Sequence, residues 1–175
     1  SDLVRSLEIR FDTKFETVSG GNSANFDWFF NSTDTAGVNN LRLGESIFLG
    51  LETLNRKPID GLDTDAITLV AEVIESKIKP SVPSGATSQN AFGEKPQFLE
   101  RGPINQTILG IGRQDVLVSG LTPLGEGIEI FGASSDHVIV VSNRRRLDIG
   151  EEVSFHLSYG ALLAAMTSPY VEKVY

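Results

Sequence analysis

Leu3, Val4, Leu7 and Phe11 recur at the spacing of one helical face, with charged residues filling the positions between them. That pattern predicts a helix already under way, or its end, followed by a short strand over residues 15–19 and a glycine turn. A second helix or loop runs through Phe26, Trp28, Phe29 and Phe30, aromatic side chains expected to pack in a core. Asn40, Leu41 and Arg42 read as a strand, and residues 45–54 as a short helix. From Asp65 the period changes. Ile67, Leu69, Ala71 and Val73 alternate with Thr68, Val70 and Glu72, the period of a half-buried strand. Further strands are expected at 107–111, 128–131, 137–141 and 153–157. Residues 79–103, rich in Pro, Gly, Ser and Asn, are long for a loop in a compact domain, which marks a functional or a mobile segment. An apolar stretch at 161–166 precedes Pro169 and the final residues 170–175. No internal repeat is visible.

These elements predict a βα-like opening over about the first 55 residues, then a mostly β domain of Greek-key or barrel type. Two strand–helix units can neither close a parallel sheet nor cover both its faces, so a further N-terminal part is expected to complete them.

Composition narrows the function classes. Of 175 residues, 40% are apolar and 22% charged, the balance of a soluble globular protein. No apolar run approaches the roughly 18 to 20 residues needed to cross a bilayer. Asp2, Arg5, Glu8, Arg10 and Asp12 break up the start, which therefore does not read as a secretory signal. With no cysteine, disulfides, thiolate metal sites and a Cys nucleophile are excluded, compatible with a cytoplasmic location. A net charge of −8 removes the electrostatic footprint of a nucleic-acid binder, and no membrane partner is expected either. Arg144, Arg145 and Arg146 read as a solvated hairpin tip.

Gly20-Gly21-Asn22-Ser23 follows a strand end. Glycines let the backbone approach a ligand, while Asn22 and Ser23 add donors, a combination suited to a phosphate as well as to an ordinary turn. Leu43-Gly44-Glu45-Ser46 is a second strand-to-helix turn, where free N–H groups favour an anion. Two such turns about 20 residues apart, both at strand carboxyl ends, match the place where an α/β barrel holds phosphate. Gly110-Ile111-Gly112-Arg113-Gln114-Asp115 begins like a dinucleotide fingerprint, but lacks the last glycine and a following helix. Ser135, Asp136 and His137 cannot align as a triad among themselves, since neighbours in an extended chain point to opposite faces. His137 and His156, without cysteine, make a weak case for a transition-metal site, and none is expected.

Taken together, the stretches at 20–23, 40–50, 111–115, 132–137 and 159–175 resemble the alanine racemase-like family of pyridoxal-phosphate enzymes, most closely its ornithine racemase branch. The resemblance implies that residues 1–60 are the last two βα units of an incomplete cofactor-binding (β/α)8 barrel, and residues 61–175 the C-terminal β domain. It implies pyridoxal 5'-phosphate as cofactor, with Asn22, Ser23, Gly44, Glu45 and Tyr159 around its phosphate and Arg42 facing the pyridine nitrogen. Arg113 stands where alanine racemases carry the tyrosine that is their second base, and Asp136 at an acidic position on the substrate side; both are candidate catalytic residues. Arginine is a poor base at neutral pH, which leaves the second base unassigned. The family's Schiff-base lysine lies near the start of the barrel, and no lysine here matches its motif. The implied activity is racemisation of ornithine or another basic amino acid by a homodimer, this chain alone being inactive. For a cationic substrate side chain, Asp115 and Asp136 are the candidate partners. Two other readings stand beside this one: a cofactor-binding protein of related fold without turnover, and a β module for protein interaction that uses residues 79–103 as its contact loop.

Overall fold

The computed structural model describes residues 2–86, 88–89, 92–95 and 97–175. The chain forms two compact units, Ser1–Ile67 and Thr68–Tyr175.

Among its described residues the first unit holds three α-helices, α1 (Asp2–Phe11), α2 (Phe26–Asn31) and α3 (Glu45–Leu49), and a 3₁₀ turn at Ser23–Asn25. The stripe of Leu3, Val4, Leu7 and Phe11 does form a helix, but none of its residues is buried. The strands expected at 15–19 and 40–42 shrink to a single parallel bridge between Ser19 and Asn40. Around that bridge Asn39 N donates to Val18 O and Gly20 N to Asn40 O, both at 3.1 Å. The aromatic cluster on α2 is not a core. No α2 residue is buried, Trp28 and Phe30 are exposed, and neighbouring rings lie 4.6 to 6.4 Å apart between centroids. The helix expected over 45–54 stops at Leu49, because Gly50 turns left-handed with φ of 64°. Beyond it, buried Glu52 accepts from the backbone N–H groups of Leu54, Asn55 and Lys57. Burial alone would raise this carboxyl, but those donors outweigh it and hold it below the usual range.

The second unit is a six-stranded antiparallel sheet: β1 (Thr68–Pro80), β2 (Pro103–Leu109), β3 (Leu121–Pro123), β4 (Ile128–Ala133), β5 (Val138–Ser142) and β6 (Glu152–Leu157). Its order is β3-β6-β1-β2-β5-β4, and the end strands β3 and β4 approach each other, so the sheet is a nearly closed barrel. The alternation starting at Ile67 explains β1: Leu69, Ala71 and Val73 point inward and Thr68, Val70 and Glu72 outward. This strand serves two neighbours. Residues 68–72 pair with β6, residues 73–80 with β2, and a bulge between Val73 and Glu75 bends it from one to the other. Leu109, Val138, Val140, Val153, Phe155 and Leu157 complete the interior. Fully burying a side chain such as Phe155 is worth about 1.5 to 3 kcal/mol. The apolar stretch at 161–166 lies within α4 (Tyr159–Thr167), which buries Ala161, Leu162 and Ala165.

Arg144, Arg145 and Arg146 are not a hairpin tip. They follow β5, but β5 and β6 are not neighbours, so this is a crossover connection, tied down by Arg144–Glu126 and Arg145–Glu151 pairs and by Arg146 Nη2 donating to Ser76 O at 2.7 Å. On β1, Lys77 Nζ at 2.5 Å and Lys79 Nζ at 2.7 Å both reach Glu75 and pull its carboxyl down to about 2 from its usual 4.5. A folded pKa below the unfolded one gives stability that is full above about pH 4.5 and fades as pH falls toward 2. Glu75→Gln is therefore expected to lower Tm above about pH 4.5 and to flatten the acid limb between pH 4.5 and 2, so that variant and parent converge as pH falls toward 2. An unchanged acid limb would show that the two lysines do not hold this carboxylate in solution.

Candidate functional site

In the first unit the two glycine-containing turns meet at one hydroxyl. Ser23 Oγ, buried, accepts from Gly44 N and from Ser46 N, both at 3.3 Å. The first turn is rigid: Asn22 Oδ1 accepts from Ala24 N at 2.9 Å, and Asn25 Oδ1 accepts from Asn22 N at 3.1 Å, a reciprocal cap on a 3₁₀ turn. Gly21 has φ of 84°, and a Cβ there would lie 2.7 Å from Asn25 Oδ1, so the cap requires glycine. Ser46 Oγ is wholly buried and has no hydrogen-bond partner among the described residues. Long bonds to Ser23 and a partnerless buried hydroxyl fit a group with several acceptor oxygens, such as a phosphate. The Glu45 side chain turns away to pair with Arg56 at 2.5 Å. Arg42 is exposed, and its Nη1 donates to Ser19 Oγ at 3.1 Å, on the segment that bridges to Asn40. Thus Asn22, Ser23, Gly44, Glu45 and Arg42 gather at the same ends of the two bridged segments.

In the second unit the segments that carry Arg113 and Asp136 run side by side. Arg113 N donates to Ser134 O and Gln114 N to Ser135 O, both at 3.0 Å. Gly112 makes this possible: a Cβ there would collide with the backbone of Ser135 and Asp136, lying 2.5 Å from Asp136 Cα. Asp136 is exposed, and its carboxylate accepts from Ser135 Oγ at 2.6 Å. Arg113 is committed elsewhere. Its guanidinium grips Glu94 through two bonds of 3.0 and 2.7 Å and lies 4.3 Å from the centre of the Phe92 ring. The hydrogen bonds to Glu94 outweigh burial and raise its pKa further, so it cannot act as a base near neutral pH. Glu94 and Phe92 are partners that the sequence did not single out, since they sit in the Pro- and Gly-rich stretch far along the chain from Arg113. Arg113 and Glu94 line a cleft of about 730 Å³, together with Val116, Leu117, Phe131 and Ala164 among others.

Asp115 is not a free carboxylate for a substrate. It is buried, with Oδ2 accepting from Gly112 N at 3.1 Å and Oδ1 accepting from Ser168 Oγ at 2.9 Å. Tyr159 opens α4, behind Ser158, whose Oγ accepts from Ala161 N at 3.3 Å. Its ring is half-buried. Among the described residues no group of three or more His, Cys, Asp or Glu could hold a metal, and no helix is long and apolar enough to cross a membrane.

No family model matches the chain. It is 41% identical over 175 residues to the lysine racemase of Thermotoga maritima and 39% identical over 174 residues to the ornithine racemase of Acetoanaerobium sticklandii. These matches take in 99% and 98% of this chain and 49% of each relative. The chain thus spans about half the length of the curated relatives it matches. Among solved structures it superposes on alanine racemase from Oenococcus oeni with a TM-score of 0.56 and 18% identity, covering 95% of this chain and 48% of that one. The D-threonine aldolase of Filomicrobium marinum follows the same fold with a TM-score of 0.55 and 16% identity, covering 92% and 38%. Alanine racemase from Bartonella henselae, solved with covalently bound pyridoxal phosphate, gives a TM-score of 0.52 and 17% identity, covering 87% and 41%. At such identities these superpositions speak for the fold alone.

Proposed function

We propose, from the premise that this chain has the alanine racemase-like fold and matches curated lysine and ornithine racemases along nearly its whole length, that it supplies part of a pyridoxal-phosphate-dependent racemase acting on ornithine or another basic amino acid. The observation that carries this reading is the meeting of two turns at Ser23 Oγ beside the partnerless Ser46 Oγ. When bound, the cofactor would withdraw electrons from the substrate's Cα and acidify its proton. The roles of this chain's residues follow from their chemistry. Ser23, Ser46 and the backbone at Gly44 and Glu45 would hold the phosphate, helped by Asn22, which fixes the first turn. Arg42, permanently charged, would face the ring nitrogen and oppose its protonation. Asp136 would receive the cationic side chain of the substrate. Arg113, held by Glu94, would not move a proton, so the second base is another group. The family's working form would be a homodimer in the cytoplasm.

Two outcomes test this. The 175-residue chain alone is expected to leave L-ornithine and L-lysine unracemised, since none of its lysines matches the family's Schiff-base position. Measurable appearance of the D-enantiomer with the purified chain and cofactor would contradict that. In a polypeptide carrying this chain at the length of its relatives, Arg42→Glu is expected to favour a protonated ring nitrogen and to increase transamination by about tenfold relative to racemisation. Keto acid appearing no faster than in the parent protein would remove Arg42 from the ring. A cofactor-binding protein without turnover has the same phosphate turns, and would bind pyridoxal phosphate but leave both amino acids unchanged.

A further inference from the structure

The least accessible carboxylate near Asp136 has no part in the chemistry assigned above. Asp115 is 5% exposed, and both its oxygens are occupied: Oδ2 by Gly112 N at 3.1 Å and Oδ1 by Ser168 Oγ at 2.9 Å. Ser168, equally buried, also accepts from Tyr170 N at 3.2 Å, while its carbonyl accepts from Lys173 Nζ at 2.6 Å. One carboxylate therefore joins the final segment of the chain to the turn that begins at Gly112. The other side of that turn rests on the segment bearing Asp136. Gly112 packs against the backbone of Ser135 and Asp136 without room for a Cβ, and the N–H groups of Arg113 and Gln114 bond to Ser134 O and Ser135 O.

We propose that Asp115 is a positioning residue: with Ser168 as its anchor, it fixes the 112–115 turn and through it the place of the Asp136 carboxylate. A buried carboxylate is retained only where its charge is met by hydrogen bonds, and here both donors belong to the two segments that must be held together. The turn cannot shift without moving its neighbour, because Gly112 leaves no slack between them. Small displacements matter at a reacting or recognising group, where about 1 Å of misplacement can cost on the order of 100-fold in rate. The proposal rests on the reading above, in which Asp136 meets the cationic side chain, only for its consequence in substrate choice. The mechanical part stands on the geometry alone.

Two measurements separate these. Amide hydrogen exchange on the 175-residue chain compares the parent with Ser168→Ala and with the near-isosteric Asp115→Asn. Exchange at Arg113 and Gln114 is expected to quicken by about tenfold or more in both variants, with the amides of β1 and β6 changed less than about twofold. A uniform change across the β domain, or none at the turn, would overturn the positioning role. In the cofactor-loaded, relative-length polypeptide, Ser168→Ala is expected to lower kcat/KM for ornithine more than for alanine. On an Asp136→Asn background the same change should add nothing to that discrimination. Additive losses of discrimination would overturn the link from Asp115 to Asp136. If Asp136→Asn itself leaves the discrimination intact, the substrate reading fails instead, and the exchange pattern alone decides the positioning role.

Discussion

Replacing Gly112 by alanine is expected to cost about 3 kcal/mol of stability or more. The added methyl has nowhere to go. It would sit inside contact distance of Ser135 O and 2.5 Å from Asp136 Cα, and both are backbone, which cannot rotate aside as a side chain can. Relief requires parting the 112–115 turn from the 134–136 segment, which breaks the bonds of Arg113 N and Gln114 N and strains the Asp115 bridge to Ser168. For a unit of roughly one hundred residues, that loss corresponds to a fall in Tm of about 10 to 20 °C. Gly132→Ala is the matched control: it lies on β4 and a Cβ there meets nothing within 4 Å. Thermal unfolding of both variants checks this. Equal Tm values would mean that the two segments do not pack closely in solution.

In the first unit, Gly50→Ala is expected to cost about 2 to 4 kcal/mol. Two penalties combine. A φ of 64° puts an L-residue in the left-handed region, and a Cβ there would collide with the Asp63 carbonyl, 2.7 Å from its carbon. The neighbouring Gly61→Ala isolates the first penalty, for Gly61 has φ of 80° but nothing within 4 Å of its Cβ, and about 1 kcal/mol is expected. The effect should reach function as well as stability. Gly50 ends α3, which begins at the Gly44 turn, and Ser46 lies on that helix. A shifted α3 moves Ser46 N away from Ser23 Oγ, so the Gly50 variant is expected to bind pyridoxal phosphate more weakly than the Gly61 variant in the cofactor-loaded polypeptide. Identical stability and cofactor affinity for the two would show that the Asp63 carbonyl does not confine Gly50.

What was legible in the sequence was the short-range pattern. The period of two starting at Ile67 placed β1, and the apolar runs placed β2, β4, β5 and β6 within a few residues, whereas the apolar stretch at 161–166 did not disclose the helix α4. β3 was not legible, because three residues, Leu121, Thr122 and Pro123, carry no measurable alternation. Nor could a run of residues disclose which strands would be neighbours, and so Arg144, Arg145 and Arg146 passed for a hairpin tip when they lie on a crossover. The exposure of Phe30 and Trp28 was hidden for a different reason: an aromatic cluster reads the same whether it is covered or bare. At the candidate site, glycine and hydroxyl residues marked the two turns that meet at Ser23 Oγ, since their chemistry is local. Asp115 looked like a substrate ligand because its partner Ser168 lies 53 residues away, and Arg113 gave no hint of Glu94, 19 residues before it. Partnerships at such distances belong to the fold and leave no local mark.

The most direct measurement is loss of the α-proton in deuterium oxide, followed by proton NMR, with a cofactor-loaded polypeptide that carries this chain at the length of its lysine and ornithine racemase relatives. Expected is exchange of the α-proton of L-ornithine or L-lysine together with appearance of the D-enantiomer, and exchange of L-alanine slower by about tenfold or more. A protein that binds pyridoxal phosphate yet leaves the α-protons of ornithine and lysine in place would contradict the racemase reading.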